Sequence, residues 1–194
     1  MSSESRSSSP ARRKALLFSG HMIDAPGRIA PRFPPEREPD VRLAIESAIA
    51  TSGAGSEDVA IAAAACGGDI LFDEVVLQRG IPLRLYLPFD EPTFIEKSVA
   101  FADDHWVERY RRVVACATLA IATEVLGPLP AGEDPFERAN LWMLAEAQRL
   151  APSGVIFVSL WNGEGGDGPG GTKHMMDAVR STGGQVHWID IRRL

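Results

Sequence analysis

The sequence predicts a three-layer, Rossmann-like α/β domain with a mainly parallel sheet of about six strands. Three observations predict it. Short, continuously apolar runs alternate with segments of helical periodicity across residues 15–194, the pattern of a parallel sheet covered on both faces. The segments after the apolar runs are rich in glycine and polar residues, whereas those after the helical segments are plain, such as Thr51-Ser52-Gly53 and Arg79-Gly80. In an open parallel sheet, ligands bind outside the carboxyl ends of the strands. Finally, residues 155–191 run strand, glycine loop, helix, strand. A glycine loop opening a helix lets backbone N–H groups approach an anion.

The first 14 residues are rich in Ser and Arg and lack apolar periodicity. They are expected to be a disordered leader, with one domain over residues 15–194. Residues 15–19, Ala-Leu-Leu-Phe-Ser, make the first strand, which stops at Gly20-His21. From Met22 to Pro39, five prolines with Arg28 and Arg32 make a long loop, of a kind that often carries function. A helix from Asp40 repeats Val41, Ala44, Ile45, Ala48 and Ile49 at helical spacing and ends at Gly53. Residues 59–65 are the second strand. Cys66-Gly67-Gly68-Asp69 makes the turn, and Asp69 is a suitable N-cap for a helix over 70–78.

Residues 83–87 are the third strand, closed by Pro88, and a helix from about Phe94 to Val114 follows, with a break near Asp103-Asp104. Residues 117–122 are the fourth strand and 123–134 a loop containing Gly127-Pro128 and Pro130. Asp134-Pro135 supplies an N-cap and a proline at the first helical position for a helix to about Leu150. The fifth strand covers 155–160. A helix over about 173–181 and a sixth strand over 185–191 complete the series, the last strand being a sheet edge that permits dimer pairing.

Hydrophobic residues make up 45% of 194, enough for a sizeable core, and the net charge of −6 is spread along the chain. No electrostatic case for nucleic acid or an anionic membrane follows, so neither is expected as a partner. No apolar run approaches the roughly 18 residues of a membrane span. Cys66 and Cys116 lack metal-site spacing, so reduced thiols in a cytoplasmic protein are expected, and no metal.

Each motif has a plain reading beside a functional one. Cys66-Gly67-Gly68-Asp69 is either a tight junction or a set of backbone donors, with Cys66 as a low-pKa nucleophile in the sharper version. His21 is either a packed histidine or a ligand contact. His21-Met22-Ile23-Asp24 is echoed by His174-Met175-Met176-Asp177, but neither pair brings a third metal ligand at diagnostic spacing. Arg28 and Arg32 are either solvated or a bidentate lid over phosphate. Trp142 and Trp161 read as core or pocket wall. A P-loop is excluded, because Gly171-Thr172-Lys173 reverses the required lysine and hydroxyl. The pattern G-x-G-x-x-G occurs from Gly163 to Gly168 and from Gly166 to Gly171, with Asp190 about 20 residues on. A glycine-dense segment meets that pattern easily.

Phe18-Ser19-Gly20-His21 after the first strand, the Gly67-Gly68 turn, and Pro169-Gly170-Gly171-Thr172 before a later helix resemble the SLOG superfamily. That group includes lonely-guy phosphoribohydrolases, DNA-processing Smf proteins and sensor domains fused to effectors. The resemblance implies a Rossmann-like fold and a nucleotide or nucleotide-derived ligand. It carries over a phosphate contact at Gly170, Gly171 and Thr172, and another at Gly67 and Gly68. Lonely-guy enzymes carry P-G-G-x-G-T-x-x-E, whereas this chain lacks the x-Gly and has Met175 where the Glu would stand.

The expected function is a sensor or binding module for a nucleotide-derived molecule such as NAD, ADP-ribose or a nucleoside monophosphate, with no cofactor required. An effector protein or a second copy is the expected macromolecular partner. The expected ligand residues are Gly20, His21, Asp24, Arg28, Gly67, Gly68, Asn162, Gly170, Gly171 and Thr172. The alternative is an enzyme acting at an N-glycosidic bond, which needs a carboxylate near the anomeric carbon; Asp24, Asp69 and Glu124 are the candidates.

Overall fold

A computed structural model of the chain describes residues 13–165 and 170–194. It contains one six-stranded sheet, entirely parallel, in the order β4-β3-β2-β1-β5-β6. The strands are β1 (Ala15–Gly20), β2 (Val59–Ala62), β3 (Leu83–Leu87), β4 (Thr118–Ile121), β5 (Val155–Trp161) and β6 (Gln185–Asp190). The helices are α1 (Glu38–Ser52), α2 (Gly68–Gln78), α3 (Glu91–Ser98), α4 (Asp104–Val114), α5 (Ala122–Val125), α6 (Pro135–Leu150) and α7 (Thr172–Ser181). The fold is therefore the Rossmann-like α/β architecture expected from the sequence.

Side-chain alternation along the strands divides the core. Leu16 and Phe18 of β1 pack with Ile45, Ile49, Phe72 and Tyr110 of α1, α2 and α4. Ala15 and Leu17 face the other way, onto Met143, Ala147, Met175 and Val179 of α6 and α7. β5 is buried at every residue, as a central strand covered on both sides should be. Strand order reverses between β1 and β5, and such a switch point opens a crevice at the carboxyl edge.

Several boundaries differ from expectation. β2 stops at Ala62 because Ala64 adopts φ 65°, outside the extended region. The long helix after β3 is two helices, each started by an aspartate: Asp90 accepts from Thr93 N–H at 3.0 Å, and Asp103 accepts from Trp106 N–H at 3.1 Å. The loop after β4 contains the one-turn helix α5, and α1 begins at Glu38, directly after a 3-10 turn over Pro35–Arg37. The expected leader lies outside the described residues as far as residue 12. Lys14 is anchored, with its Nζ donating to the Ser52 and Gly53 carbonyls at the end of α1. Among the described residues no helix is long and apolar enough to cross a membrane.

Candidate functional site

The loops at the carboxyl edge are tied together by the chain's own backbone. After β1 the chain runs across the N-terminus of α2. Gly68 N–H donates to the His21 carbonyl at 3.1 Å, and Ile23 N–H donates to the Cys66 carbonyl at 3.1 Å. Gly67 has φ 97°, and a Cβ there would lie 2.4 Å from the Ile23 nitrogen. Ile70 N–H is taken by the Ala65 carbonyl. The phosphate contact expected at Gly67 and Gly68 is corrected accordingly: the glycines admit Met22 and Ile23, and the Gly68 donor is spent on His21.

Other expected residues are likewise partnered within the chain. Asp24 Oδ2 accepts from the Arg32 and Phe33 N–H groups at 2.8 and 2.9 Å, and its Oδ1 lies 3.3 Å from Arg28 Nε. The carboxylate staples the proline loop, and Arg28 closes on it. The His21 ring accepts the Asn162 N–H at Nε2, 3.1 Å away, which links the ends of β1 and β5. Burial lowers the His21 pKa, with Arg32 and Arg28 pushing the same way, so the ring is neutral at pH 7 and available as that acceptor.

Gly170 has φ 70° and sits against the Glu137 backbone. Its N–H donates to His174 Nδ1 at 2.8 Å and its carbonyl accepts from Asn140 Nδ2 at 2.9 Å. Gly171 and Thr172 open α7. The rest of the expected mobile flank, residues 166–169, lies outside the described residues. Glu124 stands exposed on α5. Asp190, the acid that a dinucleotide fingerprint would need, is gripped by Arg192 at 2.8 Å.

Cys66 is buried, which pushes its thiol up to about 12, so the low-pKa nucleophile is excluded. The two His-x-x-Asp pairs do not converge, and among the described residues no group of three or more metal-ligating side chains gathers. Trp161 is buried beside Trp188, and Trp142 meets Tyr86 edge-on.

One of the openings at the edge is a cavity of about 150 Å³. Ser19 and Gly20 of β1 form its floor, with Ala63 and Ala65 after β2 and Pro88 after β3. Asp69 enters from α2, Ser98 and Phe94 from α3, and Phe136 and Asn140 from α6. Of the candidate residues, Gly20 and Asp69 are here. Ser98, Phe94, Phe136 and Asn140 escaped sequence reasoning, because they come from helices rather than from strand ends. The Ser98 hydroxyl is sealed from solvent and has no hydrogen-bond partner among the described residues. Ala64, buried at φ 65° between two lining residues, holds strain of order 1–2 kcal/mol. Such strain concentrates at functional sites.

Burial raises the Asp69 carboxyl to about 7, against the pull of backbone hydrogen bonds near Ala63. One turn further along α2, Asp73 is fully buried with both oxygens unpartnered. Burial, then Asp69 and Glu74, raise its pKa well above the usual range. A carboxyl whose folded pKa is raised keeps a proton that the unfolded chain releases, so stability is lost as pH climbs from about 4 toward the folded value. Urea melts of the wild type and Asp69→Asn across this range should diverge, the variant losing less stability by pH 7. Parallel pH profiles would refute the assignment.

No family model matches the sequence, and no curated protein matches it. Among solved structures, the chain is similar to DNA processing protein A from Streptococcus pneumoniae. The identity is 12%, the match covers 91% of this chain and 50% of that one, and the TM-score is 0.47. It is also similar to DNA processing protein A from Helicobacter pylori, at 13% identity, 94% and 78% coverage and a TM-score of 0.33. The chain thus spans half the length of the first. The expectation of no nucleic-acid signal is corrected to this extent, that the Helicobacter protein is itself described for its single-stranded DNA binding mode.

Proposed function

We propose that the chain is a SLOG-like binding module for a nucleotide-derived small molecule, held in the cavity at the carboxyl edge. The observation that carries this reading is a cavity at the carboxyl ends of β1, β2 and β3 that is lined by the buried Asp69 carboxyl and by Asn140. At about 150 Å³ the cavity is smaller than the ~300–1,000 Å³ of a drug-sized cleft. It suits one base or one ribose, with the remainder of the ligand outside. Phe94 and Phe136 offer apolar faces; Asp69 and the Asn140 amide oxygen offer polar contacts. The Gly171-Thr172 start of α7 lies next to Gly170, which Asn140 holds, and is the favoured place for a phosphate.

A panel of adenosine, AMP, ADP-ribose and NAD tests this by calorimetry and mass spectrometry. At least one should bind the wild type, and Ala63→Leu, which fills the cavity, should abolish binding. No heat from any member, or undiminished binding to Ala63→Leu, would sink the reading.

A second reading, cleavage at an N-glycosidic bond, is favoured by one observation: Asp69 is a buried carboxyl in the cavity with a pKa of about 7. A protonated Asp69 would donate to the leaving base as the glycosidic bond breaks, and the water that adds at the anomeric carbon would return its proton to the Asp69 carboxylate. Conversion of the bound ligand, lost in Asp69→Asn with binding retained, is the result that selects it.

A further inference from the structure

We propose a second site, selective for anions, in the cleft between the proline loop and the C-terminal turn, taking the phosphoryl group of a small phosphorylated molecule. The cleft has a volume of about 280 Å³. Three arginines from three separate segments line it: Arg32 from the proline loop, Arg37 from the 3-10 turn before α1, and Arg192 from the turn after β6. In a chain of net charge −6, this gathering of guanidinium groups runs against the overall sign.

The three groups differ in how they are held. The backbone of Arg32 is fixed by its N–H bond to Asp24 at 2.8 Å, while its guanidinium has no ion-pair partner among the described residues. Arg37 has only a long contact, 3.9 Å, to Asp40. Arg192 is already oriented: its Nε and Nη2 each reach Asp190 at 2.8 Å, which fixes the guanidinium plane and leaves Nη1 for another acceptor. Room for that arrangement comes from Gly163, where a Cβ would stand 3.2 Å from Arg192 Nη2.

Asn162 forms the facing wall, and its N–H is held from behind by the His21 ring. Its Oδ1 accepts from Glu164 N–H at 3.1 Å, so the side-chain NH₂ remains a donor. Three cations face one carboxylate in the cleft itself, Glu164. Guanidinium groups, that of Arg192 already oriented, suit the tetrahedral oxygens of phosphate better than a spherical or apolar ligand.

A single phosphate ester or a pyrophosphate fits a half-open cleft of about 280 Å³, whereas a nucleic-acid strand needs a basic track extending along its backbone. On either side of the arginines stand acids, Asp40 and Asp190, which interrupt such a track.

Isothermal titration of the full chain with inorganic pyrophosphate at low ionic strength tests the proposal. One saturable site is expected, and the double variant Arg32→Gln, Arg37→Gln should weaken it by about tenfold or more. Both side chains lie at the surface, and the thermal midpoint of the variant verifies its fold. Three results would overturn the proposal: no saturable binding by the wild type, unchanged affinity in the double variant, or affinity lost in Thr172→Val while the double variant keeps it. A fourth is binding of an oligothymidylate through these arginines without binding of pyrophosphate. Adenosine carries no phosphate and reports on the carboxyl-edge cavity alone, so failure of that reading is separable from failure of this one.

Discussion

Arg109→Ala should cost about 3–5 kcal/mol of unfolding free energy, the range for removing one partner from a buried ion pair. Arg109 is nearly fully buried on α4. Its Nε and Nη2 form a fork on the two Glu74 oxygens of α2, both at 2.8 Å, and its Nη1 reaches Glu38 of α1 at 2.6 Å. The guanidinium also lies 4.1 Å from the centre of the Trp106 ring. Arg42 approaches Glu74 from the other side at 2.8 Å. One side chain therefore joins three helices over one face of the sheet.

Burial alone would raise the Glu74 carboxyl, but Arg109 and Arg42 outweigh it and hold it below the usual value. Stability from this pairing is present above the unfolded glutamate pKa and is lost as pH falls through the lowered folded value. Urea melts at pH 7 and in acid measure both statements. The deficit of the variant should be largest at neutral pH and shrink in acid. Pairing Arg109→Met with Glu74→Gln should recover part of the loss, because no buried charge then lacks a partner. A deficit under about 1 kcal/mol at pH 7, the value of a surface pair, would contradict the account.

Gly67→Ala should be comparably damaging, at about 2–6 kcal/mol, from the sum of two costs. A side chain at φ 97°, ψ −123° lies in a region that is nearly glycine-only and costs about 1–3 kcal/mol. A Cβ placed 2.4 Å from the Ile23 nitrogen and 2.9 Å from the Met22 carbonyl carbon forces backbone to move, costing a further ~1–3 kcal/mol. The displaced segment holds His21, whose carbonyl caps α2 and whose ring holds Asn162. Loss of stability should thus come with weaker ligand binding at the carboxyl edge. Gly80→Ala is the control. It also has positive φ but meets nothing within 4 Å, so it should show a backbone cost without the steric one. Equal losses in the two variants would refute the steric part.

Most strands were legible as short apolar runs, and Asp134 marks a helix start that proved real, whereas Asp69, expected to cap α2, stands inside its first turn behind Gly67. The early end of β2 was not legible, since nothing about an alanine announces φ 65° at Ala64. Nor was α5, a single turn too short to show a period. At the carboxyl edge, Gly20 and Asp69 could be found by position, as residues that follow strands. Gly67, Gly68 and Asp24 were found by the same rule and turn out to be partnered within the chain. The residue types that approach a ligand closely are also those that let two chain segments touch. Ser98 and Asn140 gave no local sign. They reach the cavity only because α3 and α6 bring them over the strand ends from far along the sequence.

The position of β1 at the middle of the sheet bears on how the chain is made. β1 pairs with β2 on one side, but its other neighbour is β5, with Ala15 opposite Val155. During synthesis the first four strands can assemble while this second edge of β1 stays open. At ~5–20 residues per second, the wait for β5 is on the order of ten seconds. Through that interval an apolar strand offers unpaired N–H and C=O groups, the condition that invites pairing with another nascent chain. Right-handed crossover through α6 ends the exposure. Truncation before β5 should therefore yield an aggregating fragment rather than a smaller soluble sheet.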